Sequence, residues 1–275
     1  MLIKRILTAI IGIMATGYII SYGEWLFASS IIILALLSWH ELCKMFSHAK
    51  TPLWYSMGAV SILMLLGCAW LGNSHELNMV IAILTMLVLV KIVLSTPKFN
   101  IINAALTLFS VLYIGLSFSH LLLLRFISGE PYHSAFFGEL SAGTMFIWIA
   151  FIGTWASDTF AFFVGSKFGK KKLCPLISPG KTIEGAIGGI AGSIIVIVIM
   201  GIIFKLSILH SVIIGLLVGI SAPLGDLAES AIKRYTGVKD SGSLLPGHGG
   251  VLDRFDSIMF AVPTVYYYVQ ATILK

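Results

Sequence analysis

Long apolar runs dominate this sequence and follow one another with short polar connections. A helix that crosses a bilayer needs about 20 apolar residues. The windows of roughly that length are 6–22, 25–41, 54–72, 78–96, 101–124, 143–165, 184–204, 209–230 and 256–273. The runs are continuous instead of alternating, which favours helices over a β-barrel. The sequence therefore predicts an all-α, polytopic transmembrane helical bundle with about nine spans.

The scarcity of charge supports the same conclusion. Hydrophobic residues make up 58% of the 275 positions and charged residues only 11%. A soluble domain carries about 25% charged residues. With so few charges, most of the surface is expected to face the lipid bilayer instead of water.

The N-terminal segment MLIKRILTAIIGIMATGYIISYG has the basic flank and apolar run of a signal peptide. It lacks a clear small-residue cleavage site, and another apolar run follows almost at once. We interpret it as an uncleaved first span.

Lysine and arginine indicate the orientation of the spans. With the N-terminus in the cytoplasm, 14 of the 18 basic residues fall in cytoplasmic segments and three fall on the opposite side. This bias follows the positive-inside rule, so the net charge of +6 needs no nucleic-acid partner. The segments 166–183 and 231–255 then lie on the same side and can share one site. We expect a multi-pass protein of the cell (inner) membrane with its active site on the cytoplasmic side.

Polar residues are unevenly distributed along the chain. Residues 1–142 read as N-terminal transmembrane helices without a dense motif. Residues 143–275 contain seven of the 12 acidic residues, many of them at or inside span ends. We therefore place the catalytic region in 143–275.

The first polar segment is 153–185. Asp158 lies in an apolar helical pattern, where an aspartate at mid-span costs about 2.5–3.5 kcal/mol. It should face the bundle interior and have a cationic or metal partner. The alternative is a structural ion pair or a hydrogen bond between helices.

The end of that segment, SPGKTIEG, has the residue types of a phosphate-binding loop. Glycine lets backbone amides approach an anion, and Lys181 supplies a positive charge. Thr182 can open the next helix, whose positive end would face the same ligand. The motif is not a Walker sequence. For Lys170, Lys171 and Lys172 the alternative is a topology signal.

The second segment is SAPLGDLAESAIKR, at the end of the eighth apolar run. Pro223 and Gly225 are expected to distort the helix where it nears the cytoplasm. Distorted backbone at membrane depth is tolerated where it lines a polar cavity. One helical face then carries Asp226, Glu229, Ser230 and Lys233.

The third segment is KDSGSLLPGHGGVLDRFDS. Asp253 and Asp256 are one helical turn apart, a spacing at which two carboxylates can hold a hard divalent cation. The glycines around His248 suit a tight loop that closes over a ligand. Acidic residues at a helix start are also common caps, and a lone histidine is often structural.

These segments resemble a known family. The 27 residues from Ser230 to Asp256 are similar, without departure, to the signature of the phosphatidate cytidylyltransferases (CDP-diacylglycerol synthases). SDTFAFFVGSKFGKKK and SPGKTIEGAIGG also resemble that family, so the likeness covers roughly 150–260. It implies the transfer of a cytidylyl group from CTP to phosphatidate, giving CDP-diacylglycerol and pyrophosphate, with Mg²⁺ and an optional second metal ion.

The resemblance also suggests roles for individual residues. The expected metal ligands are Asp226, Asp253 and Asp256. The expected contacts to phosphatidate or to the triphosphate are Lys233, Arg234 and Lys239. The expected CTP phosphate contacts are Ser178, Lys181 and Thr182, with His248 also at the substrate and Asp158 in a supporting polar role.

Two other functions compete with this interpretation. A CTP-dependent polyprenol or phytol kinase would use the same nucleotide but would release CDP. A transporter could use the carboxylates to bind ions, although such proteins often carry internal repeats and we find none here. The oligomeric state is open, with a homodimer as the alternative to a monomer.

Overall fold

The computed structural model describes residues 2–72, 74–134, 138–244 and 249–274, and this part of the chain is predominantly helical. The helices are α1 (Leu2–Tyr22), α2 (Glu24–His48), α3 (Tyr55–Trp70), α4 (Ser74–Ser95), α5 (Ile101–Val111), α6 (Ser117–Arg125), α7 (Ala142–Phe168), α8 (Ile183–Ile203), α9 (Ile208–Thr236) and α10 (Leu252–Thr272). A π-helical turn, Leu112–Leu116, joins α5 to α6. The predicted all-α membrane-type bundle is confirmed.

Two short antiparallel hairpins interrupt the helices. The first pairs β1 (Tyr132–Ser134) with β2 (Gly138–Leu140). The second pairs β3 (Lys172–Cys174) with β4 (Ser178–Thr182) and connects α7 to α8. Neither hairpin was predicted, because strands of three to five residues between long apolar runs give almost no alternation signal.

Every predicted apolar window coincides with helical structure. Within the described residues, six helices are long and apolar enough to cross a membrane: Glu24–His48, Glu76–Ser95, Ile101–Arg125, Ala142–Phe168, Ile183–Ile203 and Ile208–Thr236. Two shorter apolar helices are Ile10–Tyr22 and Tyr55–Trp70. The count of nine spans and the orientation of the termini stay predictions.

Polar side chains fix where several helices begin. The Ser141 hydroxyl accepts a hydrogen bond from the Thr144 amide at the start of α7. The Thr182 hydroxyl accepts one from the Gly185 amide, 3.1 Å away, at the start of α8. Such caps satisfy amides that have no partner within the helix. The prediction that Thr182 opens the helix after the SPGKT motif is confirmed.

The chain forms two compact units. Unit one contains Met1–Leu123 and Ile232–Arg254, and unit two contains Leu124–Ala231 and Phe255–Lys275. The division predicted from composition, at residues 142 and 143, concerns where polar residues lie along the sequence and stays a prediction.

In unit one, a buried tryptophan joins two helices. Trp39 of α2 is fully buried, and its indole N–H donates a hydrogen bond to the carbonyl of Tyr55, 3.0 Å away. A Cβ atom at Gly58 of α3 would overlap the Trp39 ring. The absence of a side chain at Gly58 therefore lets α3 lie directly against α2.

In unit two, glycines bring three helices into close contact. Gly188, Gly189 and Gly192 of α8 face α7, where added Cβ atoms would meet the side chains of Val164 and Phe160 and the backbone of Ser157. A Cβ atom at Gly215 of α9 would lie 2.6 Å from the Ile194 Cα of α8. Small residues at such interfaces allow the backbones of membrane helices to approach closely.

The close contact at Gly215 predicts that the same glycine-to-alanine substitution has opposite effects on stability at two helical positions. Gly215→Ala should destabilise the protein by about 1–3 kcal/mol, because the added methyl group meets backbone that cannot move aside cheaply. The matched control is Gly67→Ala in α3, where nothing lies within 4 Å of the added Cβ.

Gly67→Ala should be neutral or stabilising by about 0.5–1 kcal/mol, since alanine favours a helix over glycine. Thermal unfolding of the purified variants in detergent measures both effects. A Gly215→Ala protein that unfolds at the same temperature as Gly67→Ala would contradict the close α8–α9 contact.

Candidate active site

Unit two contains a cavity of about 490 Å³. Residues of α7, of the β3–β4 hairpin, of the first turns of α8 and of α9 form its wall. Its polar lining residues are Ser157, Asp158, Ser166, Lys181, Thr182 and Asp226. The volume lies in the range of about 300–1,000 Å³ that is usual for small-molecule sites. The cavity thus brings together predicted site residues from three separate stretches of the sequence.

The β3–β4 hairpin places Lys181 at the start of α8. Cys174 pairs with Ser178 and Lys172 with Thr182, so the SPGKT motif is a strand that leads directly into the helix. The Glu184 carboxylate accepts hydrogen bonds from the amides of Lys170 and Lys171, with a shortest distance of 3.0 Å. The segment that enters the hairpin is therefore tied to the helix that follows it. Lys181 lies beside the positive end of the α8 dipole.

Lys181 forms an ion pair with Asp226 inside this cavity. The ammonium nitrogen lies 2.7 Å from Asp226 Oδ2, and it also donates to the carbonyl of Pro223, 3.3 Å away. Ser230 Oγ donates to the other carboxylate oxygen, Oδ1, at 3.2 Å. The two charged side chains are 24% and 34% exposed. Since an ammonium group can donate three hydrogen bonds, Lys181 can still bind an anion in the cavity.

Asp158 lines the same cavity from α7. It lies on one stripe with Ala161, Phe162 and Gly165, at the spacing of a single helical face. The sequence pattern predicts Asp158 in the bundle interior, whereas the structure places it, exposed, at the wall of the cavity. Two carboxylates, Asp158 and Asp226, therefore line a cavity that also contains a lysine.

Unit one contains a second lysine–aspartate pair. Lys233 Nζ of α9 lies 2.7 Å from Asp253 Oδ1 at the start of α10, and the side chains are only 12% and 7% exposed. Asp253 Oδ2 accepts hydrogen bonds from the amides of Ser241 and Gly250, at 3.0 and 2.8 Å. The Ser241 hydroxyl is also 2.9 Å from this oxygen. Both oxygens of Asp253 are thus engaged.

These contacts set the ionisation of Asp253. Burial by itself would raise the pKa of the carboxyl group, but the hydrogen bonds from Lys233, Gly250 and Ser241 and the lysine charge lower the pKa below its ordinary value. A carboxyl whose pKa is lower in the folded state stabilises the fold while it is ionised. That contribution is present at neutral pH and is lost as the pH falls through the pKa of Asp253.

The remaining predicted residues occupy different places. Arg234 and Lys239 are exposed at the end of α9 and in the segment after it. Ser178 lies in β4, outside the cavity lining that the described residues form. In α10, the Asp256 carboxylate accepts a hydrogen bond from the Ser257 amide at 2.7 Å. His248 lies outside the described residues.

The described residues contain no ready-made metal site. No group of three His, Cys, Asp or Glu side chains within them is arranged to hold a metal ion. However, Mg²⁺ commonly binds one or two carboxylates together with substrate phosphates. Asp158 and Asp226, which line the cavity, fit that mode of binding. The ligand set of Asp226, Asp253 and Asp256 stays a prediction.

The sequence patterns did not indicate two residues of the hydrogen-bond network around Asp253, Glu41 and Ser241. Glu41 of α2 is buried, and its carboxylate accepts hydrogen bonds from the segment before α10. A carboxylate at the end of an apolar run is costly unless it has partners. That cost indicates from the sequence that Glu41 has polar partners, but it does not show which distant segment supplies them.

The Lys233–Asp253 pair predicts a stability effect that a second substitution should reverse. Lys233→Met should destabilise the protein by about 3–5 kcal/mol, because it leaves a buried carboxylate without its cation. Adding Asp253→Asn removes that charge while keeping an acceptor for Ser241 and Gly250, so the double variant should recover most of the loss. Unfolding in detergent measures both variants. A Lys233→Met protein as stable as the wild type would contradict the pairing.

Comparison with known proteins supplies the family. Residues 3–272 match the sequence profile of the cytidylyltransferase family. A phosphatidate cytidylyltransferase of Staphylococcus haemolyticus is 39% identical over 265 residues, which cover 94% of this chain and 95% of that protein. Proteins of the same name from Staphylococcus aureus and Staphylococcus saprophyticus are 38% and 36% identical, each over 94% of this chain and 95% of their own length. The chain belongs to the cytidylyltransferase family.

Proposed function

We propose that this protein transfers a cytidylyl group from CTP to phosphatidate, giving CDP-diacylglycerol and pyrophosphate for phospholipid biosynthesis. Its relatives carry the name of that activity. The observation that supports it most directly in the structure is the cavity of unit two. There Lys181, two carboxylates and the start of α8 surround a space of the size of a small-molecule site.

The reaction requires charge neutralisation more than proton transfer. The nucleophile is a phosphate oxygen of phosphatidate, which is largely ionised at neutral pH because the second pKa of a phosphate monoester is about 6. This oxygen forms a bond to the α-phosphorus of CTP, while the bond from that phosphorus to the bridging oxygen breaks and pyrophosphate leaves. No general base is needed. The protein must bring two anions together and stabilise the leaving group.

Lys181 is the proposed partner of the CTP phosphates. Its ammonium group lies at the cavity wall, held by Asp226 and by the carbonyl of Pro223. These contacts orient the side chain before the nucleotide binds, which reduces the entropy lost on binding. The positive end of the α8 dipole favours a negative charge at the same place. Thr182 and Ser178 complete the proposed phosphate-binding strand.

Magnesium is part of the proposal. When bound, Mg²⁺ would neutralise charge on the triphosphate and on the leaving pyrophosphate. Asp158 and Asp226 line the cavity and are suited to hold it, while Asp253 and Asp256 stay predicted ligands by resemblance.

The remaining cations are proposed to act on the phosphate groups of the substrates. Asp253 holds the Lys233 ammonium group in one position. Arg234 and Lys239 are exposed and can attract anionic lipid or nucleotide. His248 stays a predicted substrate contact.

The two substrates differ in location, and this constrains where the site opens. CTP dissolves in the cytoplasm, whereas phosphatidate lies in the bilayer. We therefore place the site on the cytoplasmic side of the cell membrane, accessible both from water and from the lipid leaflet. A homodimer stays a prediction.

Product analysis tests the proposed function. The purified protein should convert phosphatidate and radiolabelled CTP into labelled CDP-diacylglycerol and release one pyrophosphate per turnover. Chelation of divalent cations should stop the reaction, and adding Mg²⁺ should restore it. Formation of CDP and a phosphorylated lipid would instead assign the protein to the CTP-dependent kinases.

Lys181→Ala tests the nucleotide contact. A hydrogen bond to a charged group contributes about 1.5–3 kcal/mol, so kcat/KM for CTP should fall about 10- to 100-fold. The KM for phosphatidate should change less. Lys170→Ala is the matched control, because the side chain of Lys170 is exposed and only its amide makes a described contact. An equal loss in both variants would show general attraction of anions instead of a specific contact.

A further inference from the structure

A carboxylate of α2, far from the predicted site residues in sequence, holds the segment that carries Asp253. Glu41 is only 6% exposed. Its Oε1 accepts a hydrogen bond from the Val251 amide and its Oε2 one from the Leu252 amide, both at 2.9 Å. These amides precede and begin α10, where backbone N–H groups have no partner within the helix. Glu41 thus caps α10 from another helix.

Ser241 connects this cap to the lysine–aspartate pair. Its hydroxyl oxygen is 3.1 Å from Glu41 Oε2 and 2.9 Å from Asp253 Oδ2. A hydroxyl group carries one proton, so it can donate to only one of the two carboxylates at a time. Asp253 in turn accepts a hydrogen bond from the Ser241 amide and forms an ion pair with Lys233. Only one side chain therefore separates Glu41 from the charged pair.

Two glycines show how closely the chain wraps around Glu41. A Cβ atom at Gly242 would lie 2.6 Å from Glu41 Oε1, and one at Gly250 would lie 2.5 Å from Oε2. Any other residue at either position would displace the carboxylate or the backbone. The backbone at Gly242 and at Gly250 therefore approaches the Glu41 carboxylate too closely for a side chain at either position.

We propose that Glu41 is a positioning residue for the Lys233–Asp253 pair, acting through the two amides at the start of α10 and through Ser241. Its effect on catalysis rests on the proposed function, in which Lys233 and Asp253 belong to the active site. Loss of Glu41 would leave the substrate-binding residues of unit two in place but would misplace the pair. The expected consequence is a loss of kcat, with a smaller change in the KM for CTP than Lys181→Ala causes.

Glu41→Gln is the sharpest test, because it keeps the shape of the side chain but turns an NH₂ group towards one of the two amides. Hydrogen-bond partners that orient metal ligands typically contribute about 10- to 100-fold to activity. Since Asp253 is a predicted metal ligand, kcat should fall by about that factor. Hydrogen exchange at the Val251 and Leu252 amides should accelerate in the same variant. Glu41→Ala should lower kcat further than Glu41→Gln and should accelerate exchange at the two amides more.

Asn103→Ala is the matched control. Asn103 is also a buried polar side chain of unit one, and it donates to the carbonyl of Pro52 at 3.0 Å without touching the segment before α10. This variant should lose stability but retain kcat and the exchange rates of Val251 and Leu252. If Glu41→Gln behaves like Asn103→Ala, with lower stability and unchanged kcat, Glu41 is only a structural anchor and the proposal is wrong.

Ser241→Ala covers the case in which Glu41→Gln does not fold. It removes the bridging hydroxyl and leaves the Ser241 amide to donate to Asp253. A fall in kcat together with faster exchange at the Val251 and Leu252 amides supports the proposal. An unchanged kcat, or a fall without faster exchange, overturns it. The proposed function is tested separately, by CDP-diacylglycerol formation in the wild type. If the wild type forms none, the proposed function fails, while protection of the two amides still decides whether Glu41 holds the segment.

Discussion

Pairing of carboxylates with lysines is the interaction on which both polar regions of this protein depend. An ionised side chain in an apolar bundle is costly unless an opposite charge and hydrogen bonds compensate for it. Asp226 meets Lys181 in unit two, and Asp253 meets Lys233 in unit one, each at 2.7 Å. The two pairs differ in burial. The Lys181–Asp226 pair lies at the wall of a cavity, whereas the Lys233–Asp253 pair is almost enclosed.

This difference determines what each pair can do. Lys181 is partly exposed, so a phosphate can compete with Asp226 for its hydrogen-bond donors without removing a charge from a fully buried site. Lys233 is held by Asp253. The two carboxylate oxygens of Asp253 accept hydrogen bonds from Lys233, Ser241 and Gly250. Such a satisfied network is rigid. In the proposed reaction, the first pair suits exchange with a ligand and the second suits fixed orientation.

The sequence was sufficient to predict the helices but not the two short hairpins or the long-range partners of the polar residues. Apolar windows predicted helices, because every backbone polar group in lipid must be satisfied within the segment. Thr182 was predicted as the start of α8, since capping is a local interaction between neighbouring residues. The ion pair of Lys181 and Asp226 joins residues that are 45 positions apart in the sequence. The local SPGKT motif distinguished Lys181 from Lys170, Lys171 and Lys172, but it could not show that Asp226 is the partner of Lys181.

The partners of Glu41 could not be predicted from the sequence either. Its contacts with Ser241, Val251 and Leu252 join residues 200 or more positions apart. A carboxylate in an apolar run requires partners, so the sequence implies that they exist. Two glycines, Gly242 and Gly250, leave space for Glu41, but in the sequence they read as ordinary loop glycines. Once the fold is known, they show that the backbone at both positions lies directly against Glu41. Since the N-terminal half supplies this carboxylate, the helix α2 completes the hydrogen bonding at the start of α10.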